Sequence, residues 1–184
     1  MRIIGGIARG RKLFAPAGDN TRPTSDRVRE ALFNIISMHV RGARVLDLFG
    51  GSGALTLEAM SRGAESAVVN DMNGAAVSVI RRNAQAVLGD EQDDLKITCR
   101  DYKALIRDLT GKFDLVFLDP PYRMESAYAD AVTLLAKQDL LAEDALIVME
   151  QTASAQIPVP EGFEAYDERK YGETKLLFVR RAGE

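Results

Sequence analysis

The chain has one cysteine, one histidine and no tryptophan among its 184 residues. A single cysteine excludes an internal disulfide, so a reducing cytoplasm is the expected compartment. One histidine and one cysteine also argue against a metal site with nitrogen and sulfur ligands, and we expect no metal. No apolar run approaches the ~20 residues of a membrane span, and the stretch MRIIGGIARGRK lacks the apolar core of a signal peptide. We therefore expect a monomer without a membrane partner.

Acidic residues are scarce at the N-terminus, although the chain as a whole is slightly acidic. The net charge is −3, whereas residues 1–12 contain basic side chains and no acid. Residues 22–29 add three arginines against Asp26. A basic arm on an acidic body predicts one edge that faces phosphate, although ordinary solvated charge would give the same pattern. The candidate phosphate-contacting residues are Arg9, Arg11, Lys12, Arg22, Arg27 and Arg29.

Strand-like and helix-like patterns alternate through most of the chain. Four consecutive β-then-α units indicate a parallel sheet with helices on both faces. Two strand-like runs near the C-terminus have only Gly172 and Glu173 between them, which is typical of an antiparallel hairpin at a sheet edge. We predict a doubly wound α/β fold with a mostly parallel, seven-stranded sheet. The predicted strands are Arg44–Leu48, Ser66–Asn70, Leu95–Cys99, Leu115–Leu118, Ala145–Glu150, Phe163–Tyr171 and Thr174–Val179, and helices are predicted at about 53–62, 73–87, 101–110 and 125–139.

The first 42 residues form a predicted extension in front of this pattern. A short strand is expected at Arg2–Ile4, and Thr24 or Ser25 is a suitable N-cap for a helix. The apolar residues that follow recur at helical spacing, and Gly42 is expected to end that region. We predict a single domain over residues 1–184, with an extension at 1–42 and a core at 43–184.

The first predicted strand runs into the glycine-rich stretch VLDLFGGSGA, residues 45–54. In a doubly wound sheet the first βα turn lines the ligand crevice, and glycines there let the backbone approach a ligand closely. Asp71 closes the second strand, where an acid can accept hydrogen bonds from the hydroxyls of a ribose. Gly51, Gly53 and Asp71 therefore predict a site for an adenosine-containing cofactor.

The residues around this loop favour one cofactor over another. Thr56 occupies the third glycine position of the NAD fingerprint, where Gly or Ala is needed, so an NAD-dependent oxidoreductase is disfavoured. Asp47 lies within the strand and could reach an ammonium group, which S-adenosylmethionine has and NAD lacks. The pattern thus favours S-adenosylmethionine, with Asp47 at its amino-acid end.

Two further candidate residues lie at the end of the third predicted strand or just after it. Asp101 could contact the adenine edge of the cofactor, and it could equally be the N-cap of the next helix. Cys99 ends an apolar run, and we expect it to be a small buried residue.

The fourth predicted strand ends on Asp119-Pro120-Pro121-Tyr122. Two prolines cannot continue a sheet ladder, so they form a stiff turn at the strand end. The turn can hold the Asp119 carboxylate and the Pro120 carbonyl toward one point, where the two acceptors would orient a planar NH₂ group. Tyr122 could stack on the ring that carries the amine. This arrangement predicts methyl transfer to an exocyclic amine, with the nitrogen aimed at the sulfonium methyl.

These motifs resemble a known group of enzymes. The stretches DLFGGSGALTLEAMSRGA and FLDPPY resemble the class I S-adenosylmethionine-dependent methyltransferases that act on amino groups of nucleobases. The stretches MRIIGGIARGRKL and TRPTSDRVREALFNII are similar to the bacterial RsmD family, which methylates N2 of a guanine in small-subunit (16S) ribosomal RNA. The resemblance covers nearly the whole chain.

The resemblance implies roles for several positions. Gly51 and Gly53 would form the cofactor loop, Asp71 would hold the ribose, and Asp101 would contact adenine. Residues 119–122 would hold the amine and stack on the base. The basic residues named above would meet RNA phosphate, and the substrate is expected to be ribosomal RNA within an assembled or assembling small subunit.

Two alternatives stay open at this point. Adenine N6 and cytosine N4 are also planar amines, so the DPPY motif does not choose the base, in RNA or DNA. A nucleotide-binding assembly factor without catalysis is the alternative of another class, although such a protein would not need Asp119 and Tyr122.

Overall fold

A computed structural model describes residues 1–17 and 24–183. Its centre is a seven-stranded sheet in the order β3-β2-β1-β4-β5-β7-β6. The strands are β1 (Arg44–Asp47), β2 (Ser66–Asn70), β3 (Leu95–Thr98), β4 (Phe113–Leu118), β5 (Leu141–Thr152), β6 (Phe163–Tyr171) and β7 (Thr174–Arg181). The helices are α1 (Asp26–Ile35), α2 (Ala54–Ser61), α3 (Gly74–Leu88), α4 (Tyr102–Asp108) and α5 (Ser126–Lys137).

Strands β1 to β5 are parallel, and β7 and β6 add to β5 in antiparallel fashion. The order reverses at β1, whose neighbours are β2 on one side and β4 on the other. Ligand crevices in such sheets lie beyond the carboxyl ends of the strands at this reversal. The predicted doubly wound fold with a C-terminal hairpin is confirmed.

Apolar cores lie on both faces of the sheet. One contains α4 and α5, with Leu105 and Leu135 fully buried against the sheet. The other contains α1, whose Leu32 and Phe33 pack against β4, β5 and β7. Ser25 caps α1, because its hydroxyl accepts the N–H of Val28 at 3.2 Å, as the sequence predicts. None of the described helices is long and apolar enough to cross a membrane.

Some local predictions differ from the structure. Arg2 forms only an isolated bridge with Lys12, instead of a strand. Helix α1 gives way to a 3₁₀ turn at Ser37–His39, before Gly42. Strand β5 begins at Leu141, earlier than predicted, because Leu141 pairs with Phe113 ahead of a register shift. Cys99 is exposed, since it follows β3 at the edge of the sheet.

The basic N-terminal segment is fastened to the body by a buried ion pair. The Glu58 carboxylate on α2 accepts the N–H groups of Ile4 and Gly5 at 2.8 and 2.9 Å. It also pairs with Arg29 at 3.3 Å and with Arg62 at 2.8 Å. Arg29 is fully buried and donates to the Arg2 carbonyl. The prediction that Arg29 contacts phosphate is therefore wrong, because the Arg29 guanidinium is buried and forms its ion pair inside the protein.

Candidate active site

The turn between β1 and α2 is built on glycines with positive φ. Gly51 and Gly53 have φ of 59° and 80°, a region that side chains rarely adopt. The N–H of Gly50 donates to the Asn70 carbonyl at 2.7 Å, and the N–H of Gly51 donates to Asp71 Oδ2 at 2.9 Å. A Cβ on Gly50 would lie 2.5 Å from Val69. The loop therefore packs directly on the end of β2.

Asp47 ends β1 beneath this loop and is almost fully buried. Its Oδ2 accepts the hydroxyl of Thr56 at 2.9 Å. Burial raises the pKa of Asp47 to about 7, against the lowering effect of the Thr56 hydrogen bond. The threonine that disfavours an NAD loop therefore orients the acid that we predict to meet an ammonium group.

Asp71 and Asn70 end β2. Both Asp71 oxygens accept backbone N–H groups, Oδ2 from Gly51 and Oδ1 from Asn73 at 2.9 Å. A carboxylate has further lone pairs, so Asp71 can still accept ribose hydroxyls. The sequence reasoning missed Asn70, whose buried amide donates to the carbonyls of Leu48 and Arg100 at 3.2 and 2.9 Å. Asn70 thus joins the ends of neighbouring strands that line the crevice.

Asp101 is the N-cap of α4. Its Oδ1 accepts the N–H groups of Lys103 and Ala104 at 3.0 and 3.1 Å. Asp101 also lines the cleft described below, and its contact with adenine stays a prediction.

The DPPY residues form the turn after β4. Asp119 is half-buried, Pro120 is buried, and Pro121 is exposed. The Pro121 carbonyl accepts the N–H of Met124 at 2.9 Å, which leaves the Pro120 carbonyl as the candidate acceptor for an amine. The Tyr122 side chain is 65% exposed, so its ring is available for stacking.

Glu150, Thr24 and Tyr128 also belong to the site, and the sequence reasoning did not assign them a role in it. Glu150 Oε2 accepts the Thr24 hydroxyl at 2.6 Å, and the Tyr128 hydroxyl donates to the main-chain carbonyl of Glu150. Glu150 and Asp119 are hydrogen-bonded to each other, and burial together with this acidic neighbour raises the pKa of Asp119 well above its usual range. The only sequence signal for Glu150 was its place at the end of an apolar strand.

One cleft of about 800 Å³ brings most of the predicted residues together. It is lined by the glycine loop, by Asp47, Asp71 and Asp101, by residues 119–122 and by Glu150. Gly53 lies behind the loop, where it precedes α2. Among the described residues, no group of three acidic, histidine or cysteine side chains could hold a metal ion.

Within the described part of the chain, none of the predicted phosphate-contacting residues lines the cleft. Arg9, Arg11, Lys12 and Arg27 are exposed, and Arg11 donates to the Val87 carbonyl. Arg22 falls outside the described residues. The sequence reasoning missed the exposed Arg123, which lines the cleft directly after Tyr122. Its position next to the motif was the signal that could have identified it.

The chain is similar to known ribosomal RNA methyltransferases over nearly its whole length. The Ribosomal RNA small subunit methyltransferase D of Escherichia coli is 34% identical over 182 residues, which cover 98% of this chain and 90% of that protein. Its counterpart in Haemophilus influenzae is 32% identical and is covered to 89%. The solved structure of E. coli yhhF is 34% identical with a TM-score of 0.85, covering 98% of this chain and 97% of that one. SMU.776 in complex with SAH shares only the fold, at 16% identity and a TM-score of 0.66 over 83% of this chain and 48% of that one.

The relatives over nearly the whole chain, together with the sheet order, show that the chain is a methyltransferase with a doubly wound α/β fold. The chain belongs to the family described as Conserved hypothetical protein 95, whose model matches residues 1–180. The resemblance to RsmD-type methyltransferases drawn from the motifs is confirmed.

Proposed function

We propose that this protein transfers a methyl group from S-adenosylmethionine to the exocyclic N2 amine of a guanine in 16S ribosomal RNA. The observation that carries the proposal is the position of Asp119–Tyr122, at the end of β4 and in the same cleft as the glycine loop. Relatives that align over nearly the whole chain are named small-subunit ribosomal RNA methyltransferases, which supports the same substrate class.

The half of the cleft beside β1 and β2 fits S-adenosylmethionine. Asp47 would hold the ammonium of the methionine part, the Gly51–Gly53 loop would cover it, and Asp71 would accept the ribose hydroxyls. Asp101 would face adenine from the start of α4. When bound, S-adenosylmethionine supplies an electrophilic methyl group on a sulfonium sulfur.

The half beside β4 and β5 fits the target base. One Asp119 oxygen and the Pro120 carbonyl would each accept one hydrogen of the amine, which fixes the nitrogen in the direction of the methyl group. Tyr122 would stack on the base and prevent it from tilting. Positioning and acceptors suffice here, because no strong base is needed before attack.

The extension at 1–42 would face the RNA around the target guanine. Arg9, Arg11, Lys12, Arg22 and Arg27 would contact phosphate, and the guanine must leave its stack to enter the cleft. Because the body of the protein is acidic, we expect it to bind free RNA weakly. We therefore propose a protein-bound small subunit in the cytoplasm as the substrate. We also propose that the protein acts as a monomer.

Tritiated methyl transfer to small subunits that lack the modification tests the proposal. Nuclease digestion of the product would identify the labelled base, and we expect N2-methylguanine. Asp119→Ala should abolish transfer while binding of S-adenosylhomocysteine stays within a few-fold, and the exposed loop variant Asp93→Ala should behave as the wild type. Label on adenine or cytosine would refute the choice of base, and no label on any base would refute the enzymatic function.

A further inference from the structure

Two acidic side chains lie next to each other in the base half of the cleft. Leu118 of β4 pairs with Met149 of β5, so Asp119 and Glu150 follow at the same level of neighbouring parallel strands. Their carboxyl groups are hydrogen-bonded to each other. Asp47 stands on the other side of Asp119, at the end of β1, which also pairs with β4. Glu150 is therefore the outermost acid of a row of three.

Specific contacts fix Glu150 in this place. The Thr24 hydroxyl donates to its Oε2 at 2.6 Å, and the Tyr128 hydroxyl donates to its main-chain carbonyl. The next residue, Gln151, is 6% exposed and lines the same cleft, and its side-chain amide has no hydrogen-bond partner within the described part of the chain. A buried amide without a hydrogen-bond partner costs free energy. The cleft therefore contains donor and acceptor atoms that no hydrogen bond within the fold uses.

The surroundings of the two acids differ. Burial and the neighbouring Glu150 raise the pKa of Asp119 well above its usual range, whereas hydrogen bonds from Thr24 and Asp119 oppose the burial that raises the pKa of Glu150. Glu150 is thus the acid whose contacts favour the charged form, and the Thr24 hydroxyl already donates to its Oε2. A carboxylate has about four acceptor sites, so Glu150 can accept a hydrogen bond from a ligand in addition to the one from Thr24.

The bases differ in the atom beside the target amine. In guanine the N2 amine lies between N1–H, a donor, and N3, an acceptor, whereas the amines of adenine and cytosine lie beside an acceptor nitrogen and no ring N–H. We propose that the Glu150 carboxylate accepts the N1–H of guanine and thereby selects this base, an inference that rests on the proposed methylation of a guanine amine. An acceptor nitrogen in that place would face the carboxylate without a proton between them.

The base analogue 2-aminopurine isolates this contact. It carries the same 2-amino group as guanine, but its N1 is an acceptor and it lacks the O6 oxygen. The experiment uses small subunits reconstituted with ribosomal RNA in which the mapped guanine is either kept or replaced by 2-aminopurine. Wild-type protein should favour guanine by about 100-fold or more in kcat/KM, because a site built around a donor rejects an analogue that lacks it.

Glu150→Gln should relax this preference. A glutamine amide can donate to the N1 acceptor of 2-aminopurine or, when turned over, accept the N1–H of guanine. We expect the ratio of the two kcat/KM values to fall at least 10-fold below that of the wild type. The matched control is Glu143→Gln on the same strand, where an exposed glutamate outside the cleft is changed in the same way and the wild-type ratio should persist.

The outcomes separate a selective role from a structural one. If Glu150→Gln slows both substrates equally, Glu150 only supports Asp119 and Thr24, and the inference is wrong. It is also wrong if the wild type accepts both bases alike. Glu150→Asp, which keeps the carboxylate, should retain the preference at a lower rate, and loss of the preference there would overturn the idea as well. S-adenosylhomocysteine binding within a few-fold of wild type identifies folded variants. A wild type that methylates neither base refutes the proposed function itself.

Discussion

The Asp47 carboxyl should make this protein less stable as the pH rises. Its pKa is about 7 in the folded chain, compared with 3.8 for the unconstrained group, and the first cause is burial. Because the folded state binds this proton more tightly than the unfolded state, the associated stability is fully present below pH 3.8. It is lost as the pH rises through about 7. The difference between the two pKa values corresponds to about 4 kcal/mol at ~1.36 kcal/mol per pH unit.

Asp47→Asn removes this pH dependence without removing the shape of the side chain. The asparagine oxygen can still accept the Thr56 hydroxyl, which lies 2.9 Å away in the wild type. We expect the variant to exceed the wild type in free energy of unfolding by about 4 kcal/mol at pH 8 and by less than half of that, about 1.5 kcal/mol, at pH 5. Urea unfolding at the two pH values, followed by circular dichroism, measures both numbers.

The control for this experiment is Asp93→Asn, which removes an acid from an exposed loop. Its effect should stay within about 0.5 kcal/mol of the wild type at both pH values, as for most surface changes. Equal pH dependence in Asp47→Asn and the wild type would refute the reasoning, because the titrating group would then lie elsewhere. The more stable variant should nevertheless bind S-adenosylhomocysteine more weakly by calorimetry, since the charge that destabilises the free protein is the partner of the ligand ammonium.

Other predictions follow from other parts of the structure. Glu58→Gln should lower the free energy of unfolding by about 3 kcal/mol because it removes the buried carboxylate partner of Arg29, which then keeps only the half-exposed Asp26 at 3.0 Å. Adding Arg29→Met should restore part of the loss in the same urea titration, and no recovery would contradict the ion-pair account. Tyr122→Ala should reduce kcat by about 10-fold or more, while Tyr122→Phe retains most of it, and equal rates would exclude stacking. Asp71→Ala should weaken S-adenosylhomocysteine binding by about 10-fold or more in calorimetry, and an unchanged Kd would remove Asp71 from the ribose site.

The alternation of strands and helices could be predicted because both patterns are local in the sequence. A run of apolar residues and a 3.6-residue period need no knowledge of neighbours. The early start of β5 and the exposure of Cys99 could not be predicted, because they depend on which strand lies beside them. Leu141 is a strand residue only because Phe113 is next to it, and Cys99 is exposed because β3 has an open edge.

Charged residues show the same limit more sharply. Arg27 and Arg29 lie two positions apart on α1, and one is exposed while the other is fully buried against Glu58. The two side chains carry the same charge, so the composition of the segment predicted phosphate contacts for both. The fate of each arginine depends on a partner that is distant in the sequence. The sequence did not identify Glu150 as a site residue for the same reason. Only the register between β4 and β5 places it beside Asp119.

The row of acids at the ends of β1, β4 and β5 connects stability with the proposed chemistry. Asp47, Asp119 and Glu150 all have raised pKa values, and burial is the first cause in each case. Three such groups side by side cost the free protein stability, and nothing in the apolar core requires them. Each ligand of the proposed reaction brings what this row lacks: an ammonium for Asp47, and amine and ring N–H donors for the other two. Cofactor and base should therefore each stabilise the folded protein by relieving a different part of the same cost.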